Sequence, residues 1–166
     1  STSTVDTAEG YVSAEGVSWE DLATVAVLDR WCEFLETSSY VDDARDDESR
    51  AHLVEQLRAQ STPAQAISLC NELVRDRISY AAGSTTVSTT ASEAWATGSG
   101  VCQDFTHAML SLLRSAGIPA RYVSGYLHTE EQALGETVRG ESHAWVEVWN
   151  GGWEGLDPTN NRAVGS

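Results

Sequence analysis

The chain has 166 residues, of which 41% are apolar, 8% are aromatic and 21% are charged, and this composition is typical of one globular domain. Its 25 acidic residues outnumber its 10 basic residues, all of which are arginine, so the formal net charge is −15. A surface of this charge repels phosphate backbones and anionic lipid headgroups, which excludes nucleic-acid and membrane binding as first interpretations. We therefore expect a peptide or protein partner, and a basic one fits the charge best.

Three cysteines, Cys32, Cys70 and Cys102, cannot all pair within the chain, so at least one thiol is free. Their dispersion resembles neither a disulfide scaffold nor a metal site, and no cofactor or metal is expected. Cysteines of this number and spacing favour a reducing compartment, and we expect a cytoplasmic protein. The sequence does not indicate an oligomeric state.

Residues 1–60 are expected to form an N-terminal extension with helical segments. Ser18 and Asp21 form a capping-box pattern, after which one helix is predicted. Its apolar face would consist of Leu22, Val25, Leu28, Cys32 and Leu35. The acidic stretch 42–48 predicts a solvated loop, and Ser49 is placed as the cap of a short helix over 51–60.

Residues 61–166 carry the stronger patterns. Ser61 or Thr62 caps a helix that begins at Pro63 and buries Cys70 as an inert thiol. A polar loop over 81–90 and a short helix over 91–96 follow, and Gly98-Ser-Gly100 ends that helix. The next helix has the clearest period, with an apolar face of Phe105, Ala108, Met109, Leu112, Leu113 and Ala116.

Strand patterns occupy the end of the chain, over 120–127, 143–149 and 153–157. Because helices come first and an antiparallel sheet follows, the predicted fold class is α+β, with the central helix packed on the sheet.

Cys102 differs from the other thiols because it stands at the start of the central helix. The unpaired N–H groups and the positive end of that helix favour a thiolate there, and the Cys102 N–H could stabilise an oxyanion. His143, which begins a strand, is the candidate general base, and Asp157, which ends the next strand, is the candidate partner of its imidazole.

The parity of the hairpin decides whether His143 and Asp157 share a face. A three-residue loop over 150–152 pairs Trp149 with Trp153 and places Asp157 diagonal to His143, whereas a two-residue loop sends Asp157 to the other face. We predict the three-residue loop, with Gly152 in the left-handed conformation. Structural roles remain open for the same residues: a small buried cysteine at a turn, a hydrogen-bonded strand-end histidine and a turn-forming Asp-Pro.

Four motifs in this region resemble the core blocks of the bacterial transglutaminase-like superfamily. They are Gly98-Ser-Gly-Val-Cys-Gln-Asp-Phe-Thr-His107, Gly117-Ile-Pro-Ala-Arg-Tyr-Val-Ser-Gly-Tyr126, Ser142-His-Ala-Trp-Val-Glu147 and Gly152-Trp-Glu-Gly-Leu-Asp-Pro-Thr-Asn160. The resemblance covers residues 80–161 and implies a papain-like thiol fold in which Cys102, His143 and Asp157 match the family's triad positions. Val101 stands where animal transglutaminases have glutamine, and no calcium-loop signature occurs, so calcium activation is not expected.

The resemblance implies an enzyme that forms an acyl-thioester with a peptide-like substrate. Hydrolysis would make it a cysteine peptidase or amidase, and this is the favoured interpretation because it needs no amine site. Acyl transfer to an amine, as in a transglutaminase, and a non-catalytic interaction module on the same scaffold are the alternatives. Members of the family usually carry further regions on both sides, so we expect residues 61–166 to be the catalytic core of a longer protein.

Three neighbours of the triad are candidate substrate-binding residues, namely Tyr80, Asp104 and Trp145. Asp104 also fits stabilisation by the helix dipole, and Trp145 also fits a packing role beside His143. His107 lies about 140° around the helix from Cys102 and is expected to be structural. Acidic residues near the expected cleft favour a basic substrate; they are Asp104, Glu130, Glu131, Glu136 and Glu141.

Overall fold

The computed structural model describes residues 16–127 and 141–164 of the chain. Its helices are α1 (Trp19–Leu22), α2 (Val25–Trp31), α3 (Glu48–Arg58), α4 (Pro63–Arg77), α5 (Ala91–Thr97) and α6 (Cys102–Ser115). Its strands are β1 (Ser79–Tyr80), β2 (Ser99–Gly100), β3 (Ala120–Leu127), β4 (Glu141–Trp149), β5 (Trp153–Asp157) and β6 (Arg162–Val164). Short 3-10 turns cover Cys32–Phe34 and Ala44–Asp46. The predicted α+β class is confirmed.

Helix α6 lies at the centre of the hydrophobic core, as its period predicts. The six apolar residues expected on its inner face are all at most 3% exposed. They pack with Ala120 of β3, Val146 and Val148 of β4, and residues of α3 and α4 such as Leu57 and Cys70. The chain turns away after the helix at Gly117, whose φ of 81° is a conformation that side chains disfavour. Among the described helices, none is both long and apolar enough to cross a membrane.

Four antiparallel strands form the sheet, in the order β3-β4-β5-β6. Strands β4 and β5 pair Trp149 with Trp153, which confirms the three-residue loop and its parity. The expected left-handed residue is wrong, however, because Gly151 has the positive φ, 89°, and Gly152 does not. The Asn150 N–H donates to the Gly152 carbonyl across this loop, and Gly151 lies at the point where the chain reverses.

Because only Gly151 of this loop has a positive φ, Gly152 is a matched control position for it. Gly151→Ala is expected to lower the free energy of unfolding by about 1–2 kcal/mol, because a Cβ is disfavoured at positive φ. Gly152→Ala should lower the free energy of unfolding by clearly less. Urea unfolding of both variants measures the difference, and equal costs would contradict the assignment.

The N-terminal helix differs from its prediction. The capping box of Ser18 and Asp21 is confirmed, but α1 ends after one turn and α2 starts anew at Val25. Only Leu22 of the expected apolar face is buried, since Val25 is 72% exposed, Leu28 is 41% exposed and Cys32 is exposed. The Thr24 hydroxyl donates to the carbonyl of Asp21, which competes with helical bonding at this point.

The acidic stretch is more than a solvated loop. Asp47, not Ser49, caps α3, and Asp42 bonds Arg50 at 2.6 Å. Arg50 is 4% exposed, so this acidic segment provides the carboxylate that a buried guanidinium requires. Ser111 of α6 donates to the Asp42 carbonyl and thereby fixes the segment on the central helix.

Described residues on both sides of position 60 share one core cluster, which includes Leu22 and Leu57 together with α6. The Trp19 indole donates to the Gln60 carbonyl, and Arg58 donates to the carbonyl of Ala116. The division expected at residue 60 stays a prediction.

Candidate functional site

Cys102 is the first residue of α6 and is partly exposed, unlike the buried Cys70. Its position follows from the local sequence, because Gly98 ends α5 with a φ of 68° and β2 carries the chain into the new helix. The backbone N–H groups of Cys102 and Gln103 precede the first helical hydrogen bonds and have no partner among the described residues. They form a potential anion-binding edge beside the thiol.

His143 and Asp157 form a buried pair. The His143 Nε2 lies 2.8 Å from the Asp157 Oδ2, and the two residues are 7% and 0% exposed. The hairpin parity brings them together, as the sequence predicts. The His143 Nδ1 has no hydrogen-bond partner among the described residues, and no hydrogen bond in that part of the chain joins the ring to the Cys102 thiol.

The turn after β5 holds the Asp157 carboxylate. Its Oδ1 accepts the N–H groups of Thr159 and Asn160 at 3.1 and 3.2 Å, and its Oδ2 accepts the Asn160 side-chain amide at 2.7 Å. Arg162 lies 3.6 Å from the same oxygen. Asn160 and Arg162 were not expected as partners of Asp157, although an Asp followed by Pro-Thr-Asn is a turn signal that points to Asn160.

Trp145 packs beside His143 with near-parallel rings 6.4 Å apart. Its indole also covers Gly125 of the neighbouring strand, where an added Cβ would lie 2.5 Å from the ring. Gly125 pairs with His143 across the two strands. A glycine at this position thus lets the indole lie flat against the sheet, next to the imidazole.

Asp104 has a structural role in this site. It is fully buried, and its Oδ2 accepts the Val101 N–H at 2.7 Å and the Thr85 hydroxyl at 2.5 Å. Asp104 therefore fixes the start of α6 and fastens the 81–90 loop to it, and its contact with a substrate stays a prediction.

Tyr80 lies near the start of α6, where Cys102 is located. It belongs to β1, which pairs in parallel with β2 and places Tyr80 opposite Gly100, two residues before Cys102. Its side chain is 63% exposed. This two-stranded sheet was not expected, because two residues are too few for a strand pattern.

His107 is buried between two tyrosines. Its ring stacks on Tyr40 at 5.6 Å and contacts Tyr122 at 5.4 Å. Burial lowers the pKa of His107 from its ordinary value of 6.5, because the imidazolium loses hydration, although the Thr89 backbone and the charge of Asp104 oppose this in part. A buried ring that stacks on a tyrosine agrees with the structural role expected for this residue.

The lowered pKa of His107 predicts an acid-sensitive contribution to stability. Below about pH 6.5 the imidazole of His107 takes up a proton in the unfolded chain more readily than in the folded protein. The free energy of unfolding therefore decreases as the pH decreases. In His107→Gln the slope of the unfolding free energy between about pH 5 and 7 should be shallower than in the unaltered protein. Urea titrations at several pH values measure the slope, and equal slopes in the variant and the unaltered protein would refute this origin.

The side chains of the other acidic residues expected near the cleft fall outside the described part of the chain. Glu130, Glu131 and Glu136 lie outside the described residues, as does the side chain of Glu141. Within the ranges 16–127 and 141–164, no group of three His, Cys, Asp or Glu side chains could hold a metal ion.

Comparison with known proteins gives one family. The family model of the Transglutaminase-like superfamily matches residues 51–158, which is more than half of the chain. The uncharacterized protein ML0607 of Mycobacterium leprae is 38% identical over 162 residues, covering 97% of this chain and 57% of that protein. A protein-glutamine gamma-glutamyltransferase of Pseudomonas aeruginosa is 44% identical over 68 residues, or 38% of this chain and 10% of that enzyme.

Solved structures share the fold. A candidate cysteine protease from Cytophaga hutchinsonii superposes with a TM-score of 0.67 at 26% identity, covering 84% of this chain and 46% of that one. The periplasmic domain of TgpA from Pseudomonas aeruginosa, bound to ethylmercury, gives 0.61 at 29% identity, covering 79% of this chain and 49% of that one. The chain thus spans about half the length of these proteins.

The comparison contradicts the expected cytoplasmic location, because TgpA presents this fold in a periplasmic domain. The expectation depended on an odd number of cysteines. A thiol nucleophile requires one unpaired cysteine in any compartment, so the cysteine count of such a protein does not report the redox environment.

Proposed function

Because the chain belongs to the Transglutaminase-like superfamily, we propose that it is a thiol enzyme that cleaves peptide-like amide bonds through an acyl-thioester on Cys102. The buried pair of His143 and Asp157 carries this proposal. A carboxylate bound to Nε2 fixes the ring orientation and leaves Nδ1 for the proton of a thiol. Hydrogen bonds between nucleophile and base often tighten only when substrate binds, and we expect the contact of Cys102 with His143 to form in that way.

The proposed reaction has two halves. The Cys102 thiolate attacks the amide carbonyl carbon, the N–H groups of Cys102 and Gln103 stabilise the oxyanion, and the imidazolium of His143 protonates the departing amine. The C–N bond breaks and a thioester remains. His143 then takes a proton from water as the hydroxide equivalent attacks the thioester, which releases a carboxylic acid and restores the thiol.

Hydrolysis is the favoured outcome because the chemistry needs only water as the second acceptor. The structural likeness to a candidate cysteine protease supports it. Acyl transfer to an amine is the second candidate, which the similarity to a protein-glutamine gamma-glutamyltransferase favours. The net charge of −15 supports a basic peptide as the substrate in either case.

Alkylation of the protein by iodoacetamide tests the nucleophile before any substrate is known. Cys32 is exposed, so the measurement uses a Cys32→Ala background, in which the buried Cys70 reacts slowly. Burial raises the pKa of the Cys70 thiol, and this suppresses its thiolate. At about pH 6.5, Cys102 should react at least about tenfold faster than glutathione, and His143→Ala should remove the excess. A rate equal to that of glutathione would overturn the proposal and favour a non-catalytic interaction module.

A glutaminyl peptide, incubated with and without an added primary amine, then separates the two reactions. Mass spectrometry should detect the free acid in both incubations if the enzyme is a hydrolase. An amine adduct that dominates the products would assign acyl transfer instead.

A further inference from the structure

Strand β3 is an edge strand of the four-stranded sheet, and its outer side has no strand partner in the described part of the chain. The register gives the direction of its backbone groups. The Trp149 N–H bonds the Pro119 carbonyl, so 119 and 149 are a hydrogen-bonded pair, and the bonded pairs recur at every second residue. The N–H and C=O groups of Tyr122, Ser124 and Tyr126 consequently point away from β4.

A side-chain contact supports this direction independently. Arg114 donates from its Nε to the carbonyl of Ala120 at 3.0 Å, as expected if the even-numbered residues direct their backbone groups outward. Beyond Ala120, the outward backbone groups have no backbone partner among the described residues.

Edge strands of native proteins are usually protected against pairing by charged side chains, above all lysine, by proline or by a bulge. The charged residue of β3 is Arg121, whose guanidinium is bonded to Glu147 of β4. The chain contains no lysine, residues 120–127 contain no proline, and the pairing of β3 with β4 runs without a bulge over all eight residues. This edge therefore keeps the regular geometry that another strand can join.

The edge lies at the same end of the molecule as Cys102. The side chains of Tyr122, Ser124 and Tyr126 share the parity of Ala120, which packs in the core with α6. Tyr122 contacts the ring of His107, which is five residues, or about 7.5 Å along the helix axis, from Cys102. Burial raises the pKa of Tyr122, and negative charge on Cys102 and Asp104 raises it further, which agrees with this proximity.

Exposure makes the edge available to a ligand. Tyr126 is 79% exposed, Tyr122 is 39% exposed, and Ser124 is exposed as well. Two aromatic side chains on one face, separated by a small polar residue, can contact the alternate side chains of an extended peptide.

We propose that an extended segment of a peptide substrate joins the outer edge of β3 as an additional strand, with backbone hydrogen bonds to Tyr122, Ser124 and Tyr126. This inference rests on the proposed function, because the bound strand runs beside Cys102 and delivers its carbonyl group to the thiol. Recognition through the backbone makes the enzyme tolerant of side-chain sequence and selective for extended, unfolded segments.

The test compares two alkylating probes on the Cys32→Ala protein: iodoacetamide and the peptide iodoacetyl-Val-Thr-Val-Arg-Val amide. In both, the Cys102 sulfur forms a bond to the methylene carbon and iodide leaves. Ser124→Pro removes one outward N–H without affecting the ladder to β4, and Ser124→Ala keeps that N–H. In Ser124→Ala, the peptide probe should alkylate Cys102 at least about tenfold faster than iodoacetamide does. In Ser124→Pro, the ratio of these two rates should be about tenfold lower.

An equal ratio of peptide-probe rate to iodoacetamide rate in both variants would overturn the inference. Iodoacetamide itself should react with Cys102 at the same rate in both variants. This control distinguishes an effect on peptide docking from an effect on the reactivity of the thiol. If Cys102 reacts slowly with both probes, the proposed function fails, while the docking edge is still tested by amide hydrogen exchange on protein that has been alkylated to completion.

Hydrogen exchange also covers the case in which Ser124→Pro fails to fold. In protein carrying the peptide on Cys102, the amides of Tyr122, Ser124 and Tyr126 should exchange at least about tenfold more slowly than in protein carrying the iodoacetamide adduct. Unchanged exchange would refute the docking edge. Protection that rises with protein concentration without peptide would instead assign the edge to pairing between two copies of the chain.

Discussion

Replacing Cys102 with alanine is expected to lower kcat/KM for a peptide amide by at least about 10⁴-fold. The variant has no nucleophile, so only the helix N-terminus and the substrate contacts remain to accelerate the reaction. Cys102 is partly exposed, and the residue is not in the hydrophobic core. The thermal midpoint should therefore stay close to that of the unaltered protein, and steady-state kinetics together with thermal unfolding measure both effects.

Cys32→Ala is the matched control, because it removes an exposed thiol distant in sequence from α6. It should retain full activity. Residual turnover in Cys102→Ala that survives rigorous purification, or an equal loss in Cys32→Ala, would contradict the assignment of the nucleophile.

The second large effect is expected for Asp157→Asn, which should reduce kcat/KM by about 10³–10⁴-fold. An amide that turns its Nδ2 toward His143 donates to Nε2 instead of accepting from it. The ring then carries its proton on Nδ1, the atom that must take the proton of the thiol. The side chain keeps its size, so the loss should greatly exceed any effect on folding.

Asn160→Ala is the comparison variant for that experiment. It removes the amide that donates to the Asp157 Oδ2 but leaves the two backbone N–H groups on Oδ1. We expect a loss of about tenfold, well below that of Asp157→Asn, because the carboxylate keeps its charge and its bond to His143. Comparable losses in both variants would show that the turn, and not the carboxylate, orients the ring.

Local periodicity explains why so much of the fold could be predicted. The central helix has an apolar residue on every turn of one face, and this pattern fixes its position within a residue. The meeting of His143 and Asp157 was predictable because strand alternation and loop length are both readable from sequence. The parity of the hairpin predicts that the two side chains share a face, and in the structure they meet at 2.8 Å.

Features that depend on the tertiary structure could not be predicted in this way. The exposure of Val25 depends on where α2 packs, and the burial of Arg50 depends on a carboxylate eight residues earlier that the fold brings back to it. The left-handed position in the hairpin could be either of two adjacent glycines, and the sequence contains nothing that distinguishes them. Asp104 was equally ambiguous, since a residue in the first helical turn can cap the helix or contact a ligand.

The three-residue hairpin loop restricts how this part of the chain can change in length. Inserting or deleting one residue between Trp149 and Trp153 would move Asp157 to the opposite face of the sheet and separate it from His143. Changes by two residues preserve the parity. This loop can therefore change in length, by evolution or by engineering, only by an even number of residues if the imidazole and the carboxylate are to stay paired.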